Sequence, residues 1–292
     1  EQAVALPLIL QLQQRRAELR PGSHKFLAYF QAYSSSYGEY QQLQQLYRAA
    51  LAEPNIVGLC VATRPDCVSD AALALLAALR DEGREVWLEL GLQSAHDHTL
   101  KRINRGHDFS AYAATVARVR RYGLNLCTHL IAGLPGEDES HCQQTLARVL
   151  ELGCDGLKLH PLHVVAGSRL AHSWHAGRYQ PWSLARYSAL AADLIRHTPR
   201  AVLYHRISAT ARAPLLLAPA WVADRWAAHH AIHGLLQQQG GQASALSCGS
   251  VVGDKHAAQG AQGAFDLAEL GGADKDSVIT GDGAENTLGL AQ

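Results

Sequence analysis

The chain reads as an α/β protein, a parallel sheet covered by helices that suits a barrel or part of one. Three observations predict it. Short apolar runs recur along the chain, and stretches of helical period separate them. Such helical connections are what parallel strands require, since a tight turn can only join antiparallel ones. Glycine, proline and polar residues gather just after the runs, at the strand ends where these folds place their sites.

The elements follow in order. Residues 1–22 carry Leu6, Ile9, Leu10 and Leu12 and close at Pro21-Gly22, an N-terminal helix with a stop signal. Lys25–Tyr33 (KFLAYFQAY) fits a buried strand, and Tyr37–Ala52 has a helical face of Tyr40, Leu43, Leu46, Tyr47 and Leu51. Asn55–Ala62 is a strand broken by Thr63-Arg64-Pro65-Asp66, and Ser69–Glu82 is an Ala/Leu-rich helix. Strands are predicted at Glu85–Leu92, Asn125–Ile131 and Gly156–His160. Helices are predicted at Ser110–Tyr122, stopped by Gly123, and Ser140–Leu152, stopped by Gly153. Trp182–Thr198 and Pro219–Gln238 read as helices, and Val202–Ile207 as a short strand. The organisation is thus an N-terminal helix over 1–23, a partial barrel with closing elements over 24–240, and a tail over 241–292. The tail's Gly, Ala, Asp and Ser composition predicts disorder.

Composition narrows the function. The chain has 292 residues, 48% hydrophobic and 18% charged, ordinary for a globular protein with a real core. Lys+Arg and Asp+Glu are both 26, so the whole chain carries no field that would draw in nucleic acid or a membrane. No apolar run has the length of a membrane span, and the start lacks the order of a signal peptide, which points to the cytoplasm. The absence of methionine and the opening on Glu1-Gln2 suggest a fragment of a longer product. The six cysteines, Cys60, Cys67, Cys127, Cys142, Cys154 and Cys248, are scattered and read as small buried residues.

Chemistry would live in five strand-end segments: Thr63–Cys67, Gly91–Ser94, Asn104–His107, His129–Glu137 and His160–His163. Taken singly, each glycine or proline is what a βα turn needs and each polar group what a helix cap needs. Five in succession favour a ligand site, where glycine admits close backbone approach and helix starts hold anions.

VWLELGLQS (86–94), LKRINRGH (100–107) and HLIAGLPGE (129–137) together resemble the radical S-adenosylmethionine (radical SAM) superfamily. The resemblance is to the branch that holds the elongator catalytic subunit and oxygen-independent coproporphyrinogen oxidase. It is closest to the YhcC-like proteins, where YFQAYSS, VGLCVATRPDC, ELGLQSAHD, INRGHD, LKLHPLH and YHRISA recur in the same order. It covers residues 24–246. It implies a partial parallel (β/α) barrel, here without the first strand and its cluster loop. It also implies that SAM and a [4Fe–4S] cluster are bound, and that a reductant such as flavodoxin or ferredoxin supplies the electron. Reductive cleavage of SAM then yields a 5′-deoxyadenosyl radical that abstracts hydrogen from substrate, with RNA or a nucleotide suggested by the elongator kinship.

The resemblance also distributes roles. Gln31 lies where the family places the turn that meets the SAM amino group, though its usual glycines are absent; Thr63 and Arg64 end the next strand. Gln93, with Ser94 beside it, and Arg105 match contacts to the ribose and carboxylate of SAM. His129 stands where relatives carry an acid. Gly133 and Pro135 shape the adenine-side turn, with His160 and Leu162 on the last strand beside it. Tyr204–Ser208 and Trp221–Trp226 are placed over the barrel's open side. Three thiolates spaced CxxxCxxC would hold the cluster. No cysteine precedes Cys60, and neither Cys60 nor Cys67 has the position to substitute. Two other readings remain: a cluster-less remnant that binds SAM or an adenosyl ligand, and a barrel hydrolase with a metal on His129 and His160 and Glu89 as carboxylate. His229, His230 and His233 read as a solvated helix face.

Overall fold

The computed structural model describes residues 8–17, 25–31, 34–246 and 278–280, to which all structural statements refer. The strands are β1 (Phe26–Phe30), β2 (Ile56–Thr63), β3 (Glu85–Gln93), β4 (Asn125–Ala132), β5 (Gly156–Pro161), β6 (Val164–Val165), β7 (Leu203–Arg206), β8 (Leu216–Ala218) and β9 (Val278–Thr280). The helices are α1 (Leu8–Ala17), α2 (Tyr40–Ala52), α3 (Asp70–Asp81), α4 (Asp97–Arg102), α5 (Phe109–Arg121), α6 (Glu139–Leu152), α7 (Arg169–His175), α8 (Leu184–Arg196) and α9 (Ala227–Gln239).

The main sheet has the order β7-β5-β4-β3-β2-β1-β9, and every pairing in it is parallel. Its strands from β1 to β5 follow chain order, each reached through a helix. The strands are near-continuous apolar runs because both faces are buried. Leu59, Val61, Val86, Leu88, Leu90, Leu92, Leu126, Leu157 and Leu159 face the helices and join one large core with Leu73, Leu76, Tyr112, Val116, Leu146 and Tyr187. The alternate residues Tyr29, Cys60, Ala62, Trp87 and Cys127 form a separate cluster on the other face. That face is concave. Lys158 of β5 lies over the ring of Tyr29 on β1 at 4.2 Å, although β4, β3 and β2 separate the two strands in the sheet. Only a strongly curled sheet brings them together, so the sheet is a half-barrel.

Local signals set the helix ends. Ser69, Asp108, Asp138, Ser168 and Ser183 each accept a hydrogen bond from the backbone N–H three residues on, capping α3, α5, α6, α7 and α8. Gly153 stops α6 at φ +85°, a conformation that a Cβ disfavours.

The structure departs from the sequence reading in several places. Pro219–Gln238 is not one helix: a 3₁₀ turn at Ala220–Ala223 precedes α9. The two-stranded ribbon of β6 and β8 and the short helices α4 and α7 carried too few residues to show a period. Tyr204–Arg206 extends the sheet beside β5, and the Trp221 ring stacks on Tyr187 of α8. The tail is described only at 241–246 and 278–280, and both stretches are bonded. Gln242 donates to the Pro199 and Val202 carbonyls, Ala243 and Ala245 donate to the end of α8, and β9 pairs with β1. The rest of the 241–292 expectation, and the outer parts of the 1–23 helix, lie outside the described residues. Among the described residues no helix is long and apolar enough to cross a membrane.

Candidate functional site

The C-terminal rim of β3 is the most irregular part of the sheet. Gly91 pairs with His129 but Gln93 pairs with Leu130, so Leu92 is an extra residue in the ladder. Gln93 takes φ +77°, a left-handed conformation costly for a residue with a Cβ. The kink is held in place from behind, where the Ser94 hydroxyl donates to buried Glu137 and the Ala95 amide to Thr145. Its result is an amide side chain in a buried position whose Oε1 has no hydrogen-bond partner among the described residues. A buried acceptor of this kind costs roughly 1–3 kcal/mol unless something donates to it.

Arg105 lies over Gly91 beside it. Its Nε and Nη2 donate to the Gly91 carbonyl at 3.0 and 2.6 Å, and a Cβ on Gly91 would collide with that guanidinium. No carboxylate pairs with Arg105 among the described residues. Burial, followed by the nearby charge of Arg64, pulls its pKa down to about 10, so it remains cationic at neutral pH. Arg64 is committed elsewhere, with two bonds to Asp66 at 3.0 and 2.5 Å and one to the Gly106 carbonyl. Thr63 is buried and accepts from the Ser36 hydroxyl at 2.8 Å. Gln31 is exposed just past β1.

Gly133 turns at φ +89° against the Trp182 ring, and its carbonyl accepts from Tyr179. The Pro135 carbonyl accepts from Arg102 at 3.0 Å. Leu162 is buried in a small apolar cluster with Ile131, Leu134 and Val164 above the β4 and β5 ends. Gln93 and Arg105 therefore meet at Gly91, and Gly133 and Leu162 flank the neighbouring turn. Ser94 is turned to Glu137 and Arg64 to Asp66, while Gln31 makes no described contact with the others.

The sequence reading grouped Glu89 with His129 as candidate metal ligands but missed Lys158 and His205, which complete a charged centre lower in the half-barrel. Glu89 is fully buried, and Lys158 donates to both its oxygens at 2.8 and 2.6 Å. His129 Nε2 lies 2.7 Å from Glu89 Oε2, and His205 Nδ1 lies 3.8 Å from Oε1. Burial would raise the Glu89 pKa, but Lys158 together with the histidines holds it well below the ordinary carboxylate range. An ionised carboxylate only accepts, so His129 presents Nε2–H to it. Burial keeps the His129 pKa below its usual value despite Glu89, leaving a neutral ring. The signal was a lone charge inside each of two otherwise apolar strands, VWLELGLQ and GLKLHP. Such charges are buried only as pairs.

Glu89, Cys127 and His129 have ligand atoms within 4.8 Å of one another, the one such group among the described residues. It is poorly suited to a metal. Lys158 already neutralises Glu89, and His129 spends its Nε2–H on the same carboxylate. The other described cysteines fare no better as cluster ligands. Cys60, Cys142 and Cys154 are buried with raised pKa values, and no three described cysteines converge. The described residues therefore fit the SAM end of the expected pair and not the cluster.

Comparison with known proteins agrees with this fold. Residues 8–149 match the model of the radical SAM superfamily, and residues 154–238 match the radical SAM C-terminal domain. Protein YhcC of Escherichia coli K12 is 54% identical over 231 residues, which are 79% of this chain and 75% of YhcC. A tRNA uridine(34) acetyltransferase of Dehalococcoides mccartyi is 35% identical over 159 residues, 53% of this chain and 34% of that protein. The solved structure of Methanocaldococcus infernus Elp3 with an N-terminal deletion superposes with a TM-score of 0.65 at 18% identity. That match covers 80% of this chain and 59% of Elp3, a likeness of fold. With the half-barrel and these matches together, the chain belongs to the radical SAM superfamily.

Proposed function

We propose that this chain forms the SAM-holding part of a radical SAM enzyme that acts on RNA or a nucleotide. The observation that carries the reading is the kinked end of β3, where an orphaned Gln93 Oε1 meets, over Gly91, an Arg105 guanidinium that has no carboxylate partner among the described residues. A ribose hydroxyl can donate to Gln93, and the SAM carboxylate can take a bidentate grip from Arg105. Gly133 and Pro135 would shape the adenine side, with Leu162 as apolar cover. Thr63, Arg64 and Gln31 would complete the rim, and Ser94 would act by fixing the kink through Glu137. With a [4Fe–4S] cluster, SAM would supply radical hydrogen-abstraction chemistry at this ledge; the described residues do not ligate the cluster. The RNA or nucleotide class rests on the tRNA-acting relative and the Elp3-like fold.

The test is direct. Calorimetric titration of SAM into this chain should show saturable binding that Arg105→Ala weakens about tenfold or more. Absence of binding by the native chain refutes the reading. The gene product carrying cluster ligands, reconstituted anaerobically with dithionite, should release 5′-deoxyadenosine. Release of none from a cluster-loaded, SAM-bound protein would leave a SAM-binding module instead.

A further inference from the structure

One irregularity is not explained by holding SAM. β5 and β7 pair Leu157 with Tyr204 and then Lys158 with Arg206, so His205 is an extra residue. A bulge of this kind re-aims side chains and concentrates near sites. Here it turns two consecutive residues towards the concave face. His205 packs edge-on against Trp87 at 4.3 Å and reaches Glu89, while Arg206 shares the register position of Lys158. Gly156 makes room for this, since a Cβ there would sit 2.8 Å from His205 Nε2 and 3.1 Å from the Trp87 ring.

Register places four residues in one row across the sheet: Gly91, His129, Lys158 and Arg206. The middle of the row is neutral overall, because His129 is uncharged and Lys158 is cancelled by Glu89. Cations without a carboxylate partner among the described residues stand at its two ends: Arg105 over Gly91, and Arg206, which is exposed. With strands about 4.8 Å apart, three steps put the two ends within roughly 14 Å, less on a curled sheet. His160 lies two residues along β5 from Lys158, on the same face, its ring 5.8 Å from that of His129. It is 94% buried, yet its Nδ1 has no hydrogen-bond partner among the described residues.

We propose that Arg206 and His160 form a subsite for a phosphate group of the substrate, on the wall of the half-barrel across from the Gln93–Arg105 ledge. The proposal rests on the nucleotide reading above and deepens it: one end of the row takes the SAM carboxylate and the other the substrate anion. A guanidinium supplies paired donors to phosphate oxygens, and a neutral imidazole adds one N–H without repelling Arg206. Burial, and after it the charge of Arg206, keeps His160 neutral. The Glu89–Lys158 pair then has a consequence for recognition, since it removes the negative charge that would otherwise face the substrate.

The experiment titrates uridine 5′-monophosphate, uridine and inorganic phosphate separately into the whole chain, with SAM titrated into the same preparations. Native protein should bind the monophosphate at least tenfold more tightly than uridine. Arg206→Ala should erase that difference, Arg206→Lys should restore part of it, and His160→Gln should reduce it, with circular dichroism unchanged. SAM affinity should stay within twofold in the Arg206 variants. Equal binding of monophosphate and uridine with no measurable phosphate binding, or an Arg206→Ala protein that binds the monophosphate like the native one, overturns the subsite. If SAM binds natively but phosphate binding ignores Arg206, the subsite alone fails. If phosphate binding depends on Arg206 while SAM does not bind, the SAM reading fails and the subsite stands.

Discussion

Replacement of Lys158 by methionine isolates the buried pair at the centre of the half-barrel. Methionine keeps the length of the side chain and deletes the ammonium, which holds Glu89 with bonds of 2.8 and 2.6 Å and lies over the Tyr29 ring. Removing one partner of a buried pair costs about 3–5 kcal/mol, because the other charge is stranded. At about 2–4 °C per kcal/mol for a domain of this size, the melting temperature should fall by about 6–20 °C. Urea unfolding at pH 7.5, followed by circular dichroism, gives the free energy directly. The double variant Glu89→Leu with Lys158→Met should recover at least half of the loss, the remainder reflecting the acceptor that His129 loses. The cost should also depend on pH. In the native chain Lys158 keeps the Glu89 pKa low, so the pair's contribution is present above the unfolded carboxylate value and lost only in strong acid. Without Lys158, burial dominates and raises that pKa above its unfolded value; proton uptake then relieves the stranded charge. The gap between Lys158→Met and native protein should therefore narrow from pH 8 to pH 5. A loss below about 1 kcal/mol, or additive costs in the double variant, would refute the reasoning.

Three further outcomes follow from the same geometry. Gly91→Ala should leave the fold intact and weaken SAM binding about 10- to 100-fold by calorimetry, since the new methyl displaces the Arg105 guanidinium and presses Gln93 Nε2 at 3.1 Å. Gly58→Ala should cost about 3 kcal/mol or more in urea unfolding, because its Cβ would run into the Glu85 backbone carbonyl, which cannot swing away. Stability should fall with acid below about pH 6.5. Burial lowers the pKa values of His129 and His160, so the unfolded chain binds more protons in that range, at up to about 1.4 kcal/mol per pH unit for each ring. A melting temperature that is flat from pH 7 to pH 5, or one that His160→Leu does not flatten, would contradict this.

The sequence by itself determined the parallel α/β class and the location of the sheet's rim, and the family resemblance added the partial barrel. Strands such as EVWLELGLQ and NLCTHLIA are apolar on both faces, helices carry one apolar stripe, and serine or aspartate caps with glycine stops mark their ends. These are local properties, so the succession of strands and helices from β1 to β5 and the five strand-end segments were legible before any contact was known. The matching motifs added Gln93, Arg105 and Gly133 as a constellation. Short elements such as α4, α7 and the β6–β8 ribbon were not legible, because they are too brief for a period to show. Nor was the Val278–Thr280 pairing, which depends on where the β1 edge lies.

Only tertiary structure decided which polar groups meet. Glu89 and Lys158 are 69 residues apart, and the curl of the sheet alone brings them into contact and carries Lys158 on to Tyr29. The same packing sorted the motif residues, turning Ser94 to Glu137 and Arg64 to Asp66 while setting Gln93 and Arg105 together against Gly91. Arg206 joined the concave wall through a bulge that shifts register by one residue, and a one-residue slip changes which face a side chain serves. Periodicity is written in neighbours along the chain and could be read there. Charge partners and register are fixed between strands, where only the assembled sheet sets the distance.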